Sequence, residues 1–287
     1  MAEDREPPYS GCRAMLHGLK KKLRCIPTHA GLILIIILVL FPVMFIFSSA
    51  FKHTFFPVEV FPSKPVLDNF VKLLTEEQFL RWMLNTLFLC GGTVALTLLL
   101  ICPAAYAFSR LHFSGRKHIL IFMIIAQMFP TLMGIVAIFY LLTVLGLMNY
   151  WGLMLIYAGG GVPFYVWFLK GYMDTIPRAV DEAALMDGAS RFKIFYKIIL
   201  PLSKPAIGVI SFFAFIFPYN DFVLPSFVLF DPSEWTLSVG LFNFIGTRAA
   251  DYPIFAAGVM MASIPILIVF LFAQRYLIAG LTRGITR

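Results

Sequence analysis

Long apolar runs separated by short polar segments dominate this chain, and they lack the strict alternation of a half-buried strand. Six runs, over residues 30–51, 83–108, 119–145, 151–169, 205–230 and 253–276, are long enough to cross a hydrocarbon layer. Such a layer is about 30 Å thick and needs about 20 helical residues. Lipid offers no water to peptide groups, so a spanning segment is a helix or part of a closed barrel, and continuous hydrophobicity selects helices. The pattern predicts an all-α membrane protein with six transmembrane helices over residues 30–276, flanked by tails at 1–29 and 277–287. Between the first two spans, residues 52–82 carry Pro62 and Pro65 and read as an ordered cap with a short helix at 75–79. A cleavable signal peptide is not expected, because residues 1–29 are polar and the first apolar run exceeds the usual h-region.

Composition agrees with burial in lipid. Hydrophobic residues make up 60% of the 287 positions and charged residues 13%, against about 45–50% and 25% in ordinary globular chains. A soluble chain of this length would form about two domains, but 31 Phe with so few charges suits neither disorder, nor a disulfide scaffold, nor a nucleic-acid binder. The net charge of +8 resolves into topology. The two tails, the second loop and the fourth loop hold 18 Lys and Arg, whereas the first, third and fifth loops hold 5. Cytoplasmic segments carry this excess, so both termini and the loops at 109–118 and 170–204 are expected in the cytoplasm. Cys12, Cys25, Cys90 and Cys102 form no CxxC or zinc-like spacing and read as structural thiols. His17, His29, His53, His112 and His118 lie outside the spans and make no metal-like pair.

The fourth loop is too long and too regular for a connector, and 172–204 reads as a helix hairpin outside the bilayer. Pro177 suits a first helical turn, Asp181 and Glu182 lie near the positive end of the helix dipole, and Gly188 suits the left-handed residue that ends a helix. The helix at 177–187 places Val180, Ala183, Ala184 and Asp187 on one face. Two adjacent alanines permit close approach of another surface, and the acids offer contacts to a basic partner. After the turn, Phe192, Phe195, Tyr196 and Ile199 have helical spacing over 191–200, and Pro201 and Pro205 mark the bend back into the membrane. A plainer reading packs this hairpin beneath its own bundle, with Lys193 and Lys197 on lipid phosphate.

Glu182-Ala183-Ala184, then Asp187-Gly188-Ala189, then Ile198-x-Leu200-Pro201, resembles the EAA motif of permease subunits of binding-protein-dependent ABC importers, in its carbohydrate-uptake form. Trp235 to Leu241 is similar to the external segment before the last helix of those subunits. Gln274-Arg275-Tyr276 followed by Gly280-Leu281-Thr282-x-Gly284 is similar to the tail of the shorter maltose-type permease. The tail up to about Thr28 departs from that family in length and composition.

This resemblance implies a type I importer permease in a prokaryotic inner membrane, paired with a second, different permease. Two cytoplasmic ATPase subunits would use ATP and Mg, and an external solute-binding protein would deliver a carbohydrate. It further implies that Asp181, Glu182, Ala183, Ala184, Asp187, Gly188, Ala189, Leu200 and Pro201 belong to the ATPase-coupling loop. Gln274, Arg275, Gly280, Leu281, Thr282 and Gly284 would reach the ATPase from the carboxyl tail. The chain has no G-x-x-x-x-G-K-S/T phosphate loop, so it is expected to bind no cofactor and to be a transport subunit rather than an enzyme. An oligosaccharide such as a maltodextrin is the expected solute, with glycerol phosphate or an acidic oligosaccharide as alternatives.

Gln127, Tyr219, Asn220 and Asp221 are candidates for the translocation path. Asp221 is the only acid within the six spans, and an ionisable group at that depth is expected to face protein or a wet cavity. The plainer alternative ends the helix near Asp221, at the external interface. Gln127 either faces the pore or makes an interhelical hydrogen bond, and Gly159-Gly160-Gly161 serves either helix packing or a local break. An ion-coupled secondary carrier is the rival function, but one marginal acid and no internal repeat support it thinly. A membrane enzyme would need a clustered catalytic set, which the sequence does not present.

Overall fold

Apolar segments denied solvent hydrogen bonds become helices, and the computed structural model follows that rule over residues 10–53, 62, 64–129, 131–246 and 252–282, which it describes. No strand occurs among them. Helix α1 (Ser10–Ala50) extends the expected first span toward the amino terminus. It meets the rest of the bundle through a contact of small residues in which Ala50 lies against Ala256 and Ala257. Helix α2 (Asp68–Thr75) replaces the short helix expected at 75–79: Asp68 stands in its first turn, where the dipole favours an acid. Asn69 Nδ2 donates to the carbonyls of Ala50 at 2.9 Å and Lys52 at 2.7 Å, fixing α2 to the end of α1.

Helix α3 (Phe79–Arg110) is the axis. The expected continuous span at 119–145 is instead two helices, α4 (Arg116–Gln127) and α5 (Ile135–Val144), with a 3-10 turn at Thr131–Gly134 between them. Pro130, itself outside the described residues, falls at this break, where a residue without an N–H cannot continue the ladder. Helix α6 (Tyr150–Asp174) runs unbroken through the three glycines.

The hairpin follows as α7 (Arg178–Met186), α8 (Arg191–Ile194), a π turn at Phe195–Ile199 and α9 (Leu200–Leu202). The chain then turns by 74° into α10 (Lys204–Asn220). The run expected at 205–230 therefore ends early and resumes only as α11 (Val223–Val228). Asp221 Oδ1 accepts from Val223 N at 2.8 Å, a side-chain competitor for a backbone donor that stops the helix. A 3-10 turn (Pro232–Glu234), α12 (Leu237–Gly246) and α13 (Tyr252–Thr282) complete the order.

Helix α3 packs mainly on α6 and α10, while α13 packs on α10, α1, α12 and α2. At the hairpin end, Ile101, Ala105, Val166, Leu169, Ile194 and Ile210 make one core. Toward the other end Leu73, Phe79, Trp82, Leu237 and Ile254 make a second, beside a third with Leu89, Leu153 and Tyr157. The loop before α12 is pinned to α3 by Trp82 Nε1 donating to Pro232 O at 2.9 Å, Asn85 Nδ2 to Ser233 O at 3.0 Å, and Leu237 N to Thr86 Oγ1 at 2.7 Å. Within that loop, the hydrogen bonding of Ser233 to Asp231 holds its carboxyl below the usual carboxylate range.

Four helical stretches, His29–Ala50, Phe79–Arg110, Tyr150–Asp174 and Tyr252–Tyr276, are long and apolar enough to span a membrane, and the bent pair of Arg191–Leu202 with Lys204–Asn220 passes only jointly. At most 39% of any such window is buried in the chain itself, and none of the first. Apolar surface on that scale requires lipid or another apolar protein face.

One close approach offers a stability test. A Cβ on Gly240 would sit 2.2 Å from the Trp82 ring, and that ring is buried and tied to Pro232. Gly240→Ala is expected to cost about 1–3 kcal/mol, as overpacking does, read as a lowered melting temperature of the detergent-purified protein.

Candidate functional site

The hairpin is built by local signals. Pro177 is the N-cap of α7, with extended ψ of 136°, rather than a residue of its first turn. Gly188 takes φ of +77°, and the N–H groups of Gly188 and Ala189 donate to Leu185 O and Ala184 O, each at 3.0 Å, closing the carboxyl end. Ser190 Oγ accepts from Lys193 N at 3.3 Å and starts α8.

The face expected to hold Val180, Ala183, Ala184 and Asp187 together is divided. Ala184 is buried against the bundle and Val180 half-buried, while Ala183 and Asp187 are exposed. Asp181 also turns inward. Its Oδ2 lies 2.9 Å from Arg110 Nε, with the two side chains 16% and 7% exposed, so its carboxylate faces the bundle. Neither Asp181 oxygen has an aligned hydrogen bond, which leaves Arg110 as its counter-charge. Arg110 Nη2 also donates to Ile176 O at 2.9 Å. Ser109 Oγ donates to Asp174 Oδ1 at 2.7 Å, and Lys170 pairs with Asp174. In the sequence Arg110 is one of the charges of the 109–118 loop, and nothing local pairs it with Asp181, which lies beyond α4, α5 and α6.

The exposed residues of the hairpin include Glu182, Ala183 and Asp187 and several large apolar side chains. Met186 is 88% exposed, Phe192 75% and Tyr196 61%. The π turn explains the arrangement, since buried Ile194 and Ile199 stand five apart, a spacing wider than the α-helical period. Leu200 is half-buried and Pro201 exposed, both beside the turn into α10, and Ala189 is half-buried.

Toward the opposite end, Ile135, Ile216, Phe217, Asn220, Asp221, Val223 and Leu224 line a cavity of about 370 Å³. Asp221 Oδ2 accepts from Tyr157 O–H at 2.8 Å, so the helix end and the cavity, posed as alternatives, coincide at this residue. Asn220 is exposed there, and the Phe217 ring is 62% exposed. Tyr219 is not in the lining: it is buried, and its hydroxyl donates to Ala262 O at 2.7 Å. Gln127 makes the interhelical bond, its Nε2 donating to Gly160 O at 2.9 Å. Tyr157, which nothing in its local sequence singles out, is what holds Asp221.

In the carboxyl tail, Gln274 Nε2 donates to Leu271 O at 3.1 Å and Arg275 lies over the Tyr276 ring at 4.8 Å. Helix α13 continues through Gly280, Leu281 and Thr282, and Gly284 lies outside the described residues. Among the described residues no cluster of three or more His, Cys, Asp or Glu is arranged to hold a metal.

A family model described as "Binding-protein-dependent transport system inner membrane component" matches residues 77–283. The chain is 39% identical over 272 residues to the maltodextrin transport system permease protein MdxG of Bacillus subtilis (strain 168), covering 93% of this chain and 98% of that one. It is 36% identical over 276 residues to the galactooligosaccharides transport system permease protein GanQ of the same organism, covering 94% and 98%. A chain of the crystal structure of a bacterial ABC transporter involved in import of the acidic polysaccharide alginate superposes with a TM-score of 0.79 at 23% identity, covering 90% of this chain and 97% of that one. That likeness establishes the fold.

Gly188 gives a direct test of the hairpin. Gly188→Ala places a Cβ in the left-handed region at a cost of about 1–2 kcal/mol, and amide exchange in α7 is expected to quicken by about tenfold. Gly188→Asn, which tolerates that conformation, is expected to show the smaller effect.

Proposed function

Because the chain belongs to the binding-protein-dependent transport system inner membrane component family, we propose that it is the membrane-spanning permease subunit of an ATP-driven importer for a neutral oligosaccharide. The observation that carries this reading is the hairpin: α7 and α8 bury one side in the bundle through Ala184 and Ile194 and leave Glu182, Met186 and Phe192 projecting. A helix seated in the bundle that leaves an acid and large apolar side chains exposed suits a groove on a separate subunit. That subunit would be an ATPase, since this chain carries no phosphate loop, and the family resemblance implies two copies of it. The Lys and Arg distribution supports placing the hairpin and both termini in the cytoplasm. A second permease would complete the path and cover apolar faces this chain leaves open, and a binding protein would deliver the sugar from outside.

Closure of the ATPase pair on ATP would displace α7 and rock the membrane helices between inward- and outward-open states. The cavity at Asp221 then faces the solute. Phe217 offers a sugar its aromatic face, and Asn220 and Asp221 offer hydrogen bonds. The lining includes a carboxylate and no basic side chain, which favours a neutral sugar over glycerol phosphate or an acidic oligosaccharide. Relatives described as serving maltodextrin and galactooligosaccharides support the same class.

Affinity purification of the tagged chain in mild detergent is expected to recover one different permease and two ATPase subunits; recovery of the chain alone would sink the proposal. Glu182→Lys is expected to leave the chain inserted while weakening ATPase recovery by about tenfold or more, the scale of losing a charge at an interface. Asp221→Leu is expected to lower sugar uptake by about tenfold, as when a buried partner for a hydroxyl is removed. Unchanged uptake would reduce Asp221 to a helix terminator.

A further inference from the structure

The hairpin is joined to the bundle covalently at both ends, to α6 and by way of α9 to α10, and through side chains to α3. The joint to α6 is the short Thr175-Ile176-Pro177 turn, in which Thr175 keeps helical backbone and only Pro177 has an extended ψ. The joint to α3 is polar and buried. Arg110, the last residue of α3, holds Asp181 by an ion pair of 2.9 Å and the Ile176 carbonyl by a hydrogen bond of 2.9 Å. One turn earlier on α3, Tyr106 O–H donates to Arg191 O at 3.4 Å, and its ring packs on Phe195 with centroids 5.0 Å apart. Both limbs of the hairpin are therefore tied to the same end of one helix.

We propose that Arg110 is a positioning residue, and that its clamp on Asp181 and Ile176 makes α3 the rod that carries displacement of α7 through the membrane. This rests on α7 being the helix that meets the ATPase. Three observations support it. The charged atoms of Arg110 and Asp181 are excluded from water and poorly screened by salt, and the aligned bond from Arg110 Nη2 to Ile176 O gives the joint its direction. The 32 residues of α3 span about 48 Å at the helical rise. At its far end Trp82, Asn85 and Thr86 hold the loop before α12 by hydrogen bonds. A shift of α7 thus reaches that loop along one continuous helix, whereas the covalent routes pass through the turn at 175–177 into α6 or through the 74° bend into α10.

The test uses the whole complex, with both permeases, the ATPase subunits and the binding protein, in proteoliposomes. The readout is solute taken up per ATP hydrolysed. Arg110→Ala and Asp181→Asn are each expected to lower that ratio by about tenfold, within the range of site-to-site couplings, with the ATPase subunits still copurifying at the native level. The paired exchange of Arg110→Asp with Asp181→Arg is expected to return the ratio to within about threefold of the native complex. An unchanged ratio in both single variants, a paired exchange no better than either single one, or a loss accounted for by missing ATPase would each overturn the proposal. Should Arg110→Ala fail to accumulate in the membrane, Arg110→Lys keeps the charge but cannot hold Asp181 and the Ile176 carbonyl together; an intermediate ratio supports the clamp and a native ratio overturns it. If the native complex itself hydrolyses no ATP or moves no sugar, the importer reading fails instead.

Discussion

A peptide group inside hydrocarbon has no partner but another peptide group, and this constraint shapes every long element of the chain. It makes the apolar runs helical and pushes irregular backbone toward places where a side chain can stand in for water. Asp221 satisfies Val223 N where α10 stops, and Gln127 donates to Gly160 O where α4 ends. The charged side chains Asp181, Arg110 and Asp221 accordingly stand at helix ends, in the hairpin and beside the cavity, where each has a partner.

Helix α3 organises what remains. It meets α6 and α10 along its length, contributes Ile101 and Ala105 to the core at one end and Trp82 to the core at the other, and bonds to loops at both ends. Helix α1 is the reverse case: no residue of its most apolar window is buried in the chain, and its buried residues Ser48, Ser49 and Ala50 lie at its carboxyl end, where Ala50 meets α13. Such a helix is held by lipid or by a neighbouring apolar chain more than by its own fold.

The hairpin shows how one sequence motif serves two masters. Consecutive residues of a helix differ in direction by about 100°, so Asp181 and Glu182, though neighbours and both acidic, meet different surroundings. Asp181 is paired with Arg110 inside, and Glu182 is exposed. The same rotation separates Ala184, in the core, from Ala183, on the surface. Anchoring and presentation are thus divided residue by residue within a single short helix.

The sequence by itself determined what depends on local chemistry: the helical class, the position of most spans, the hairpin and its turn at Gly188. Hydrophobic run length, proline, glycine and the dipole act within a few residues, and each is visible in the string of letters. Only the tertiary structure decided which side of α7 faces the bundle, that 119–145 is two helices, that Tyr219 is core while Tyr157 holds Asp221, and that Arg110 holds Asp181. Periodicity defines a face without saying what the face meets, and that choice falls to residues distant in the chain whose burial and charge settle it together.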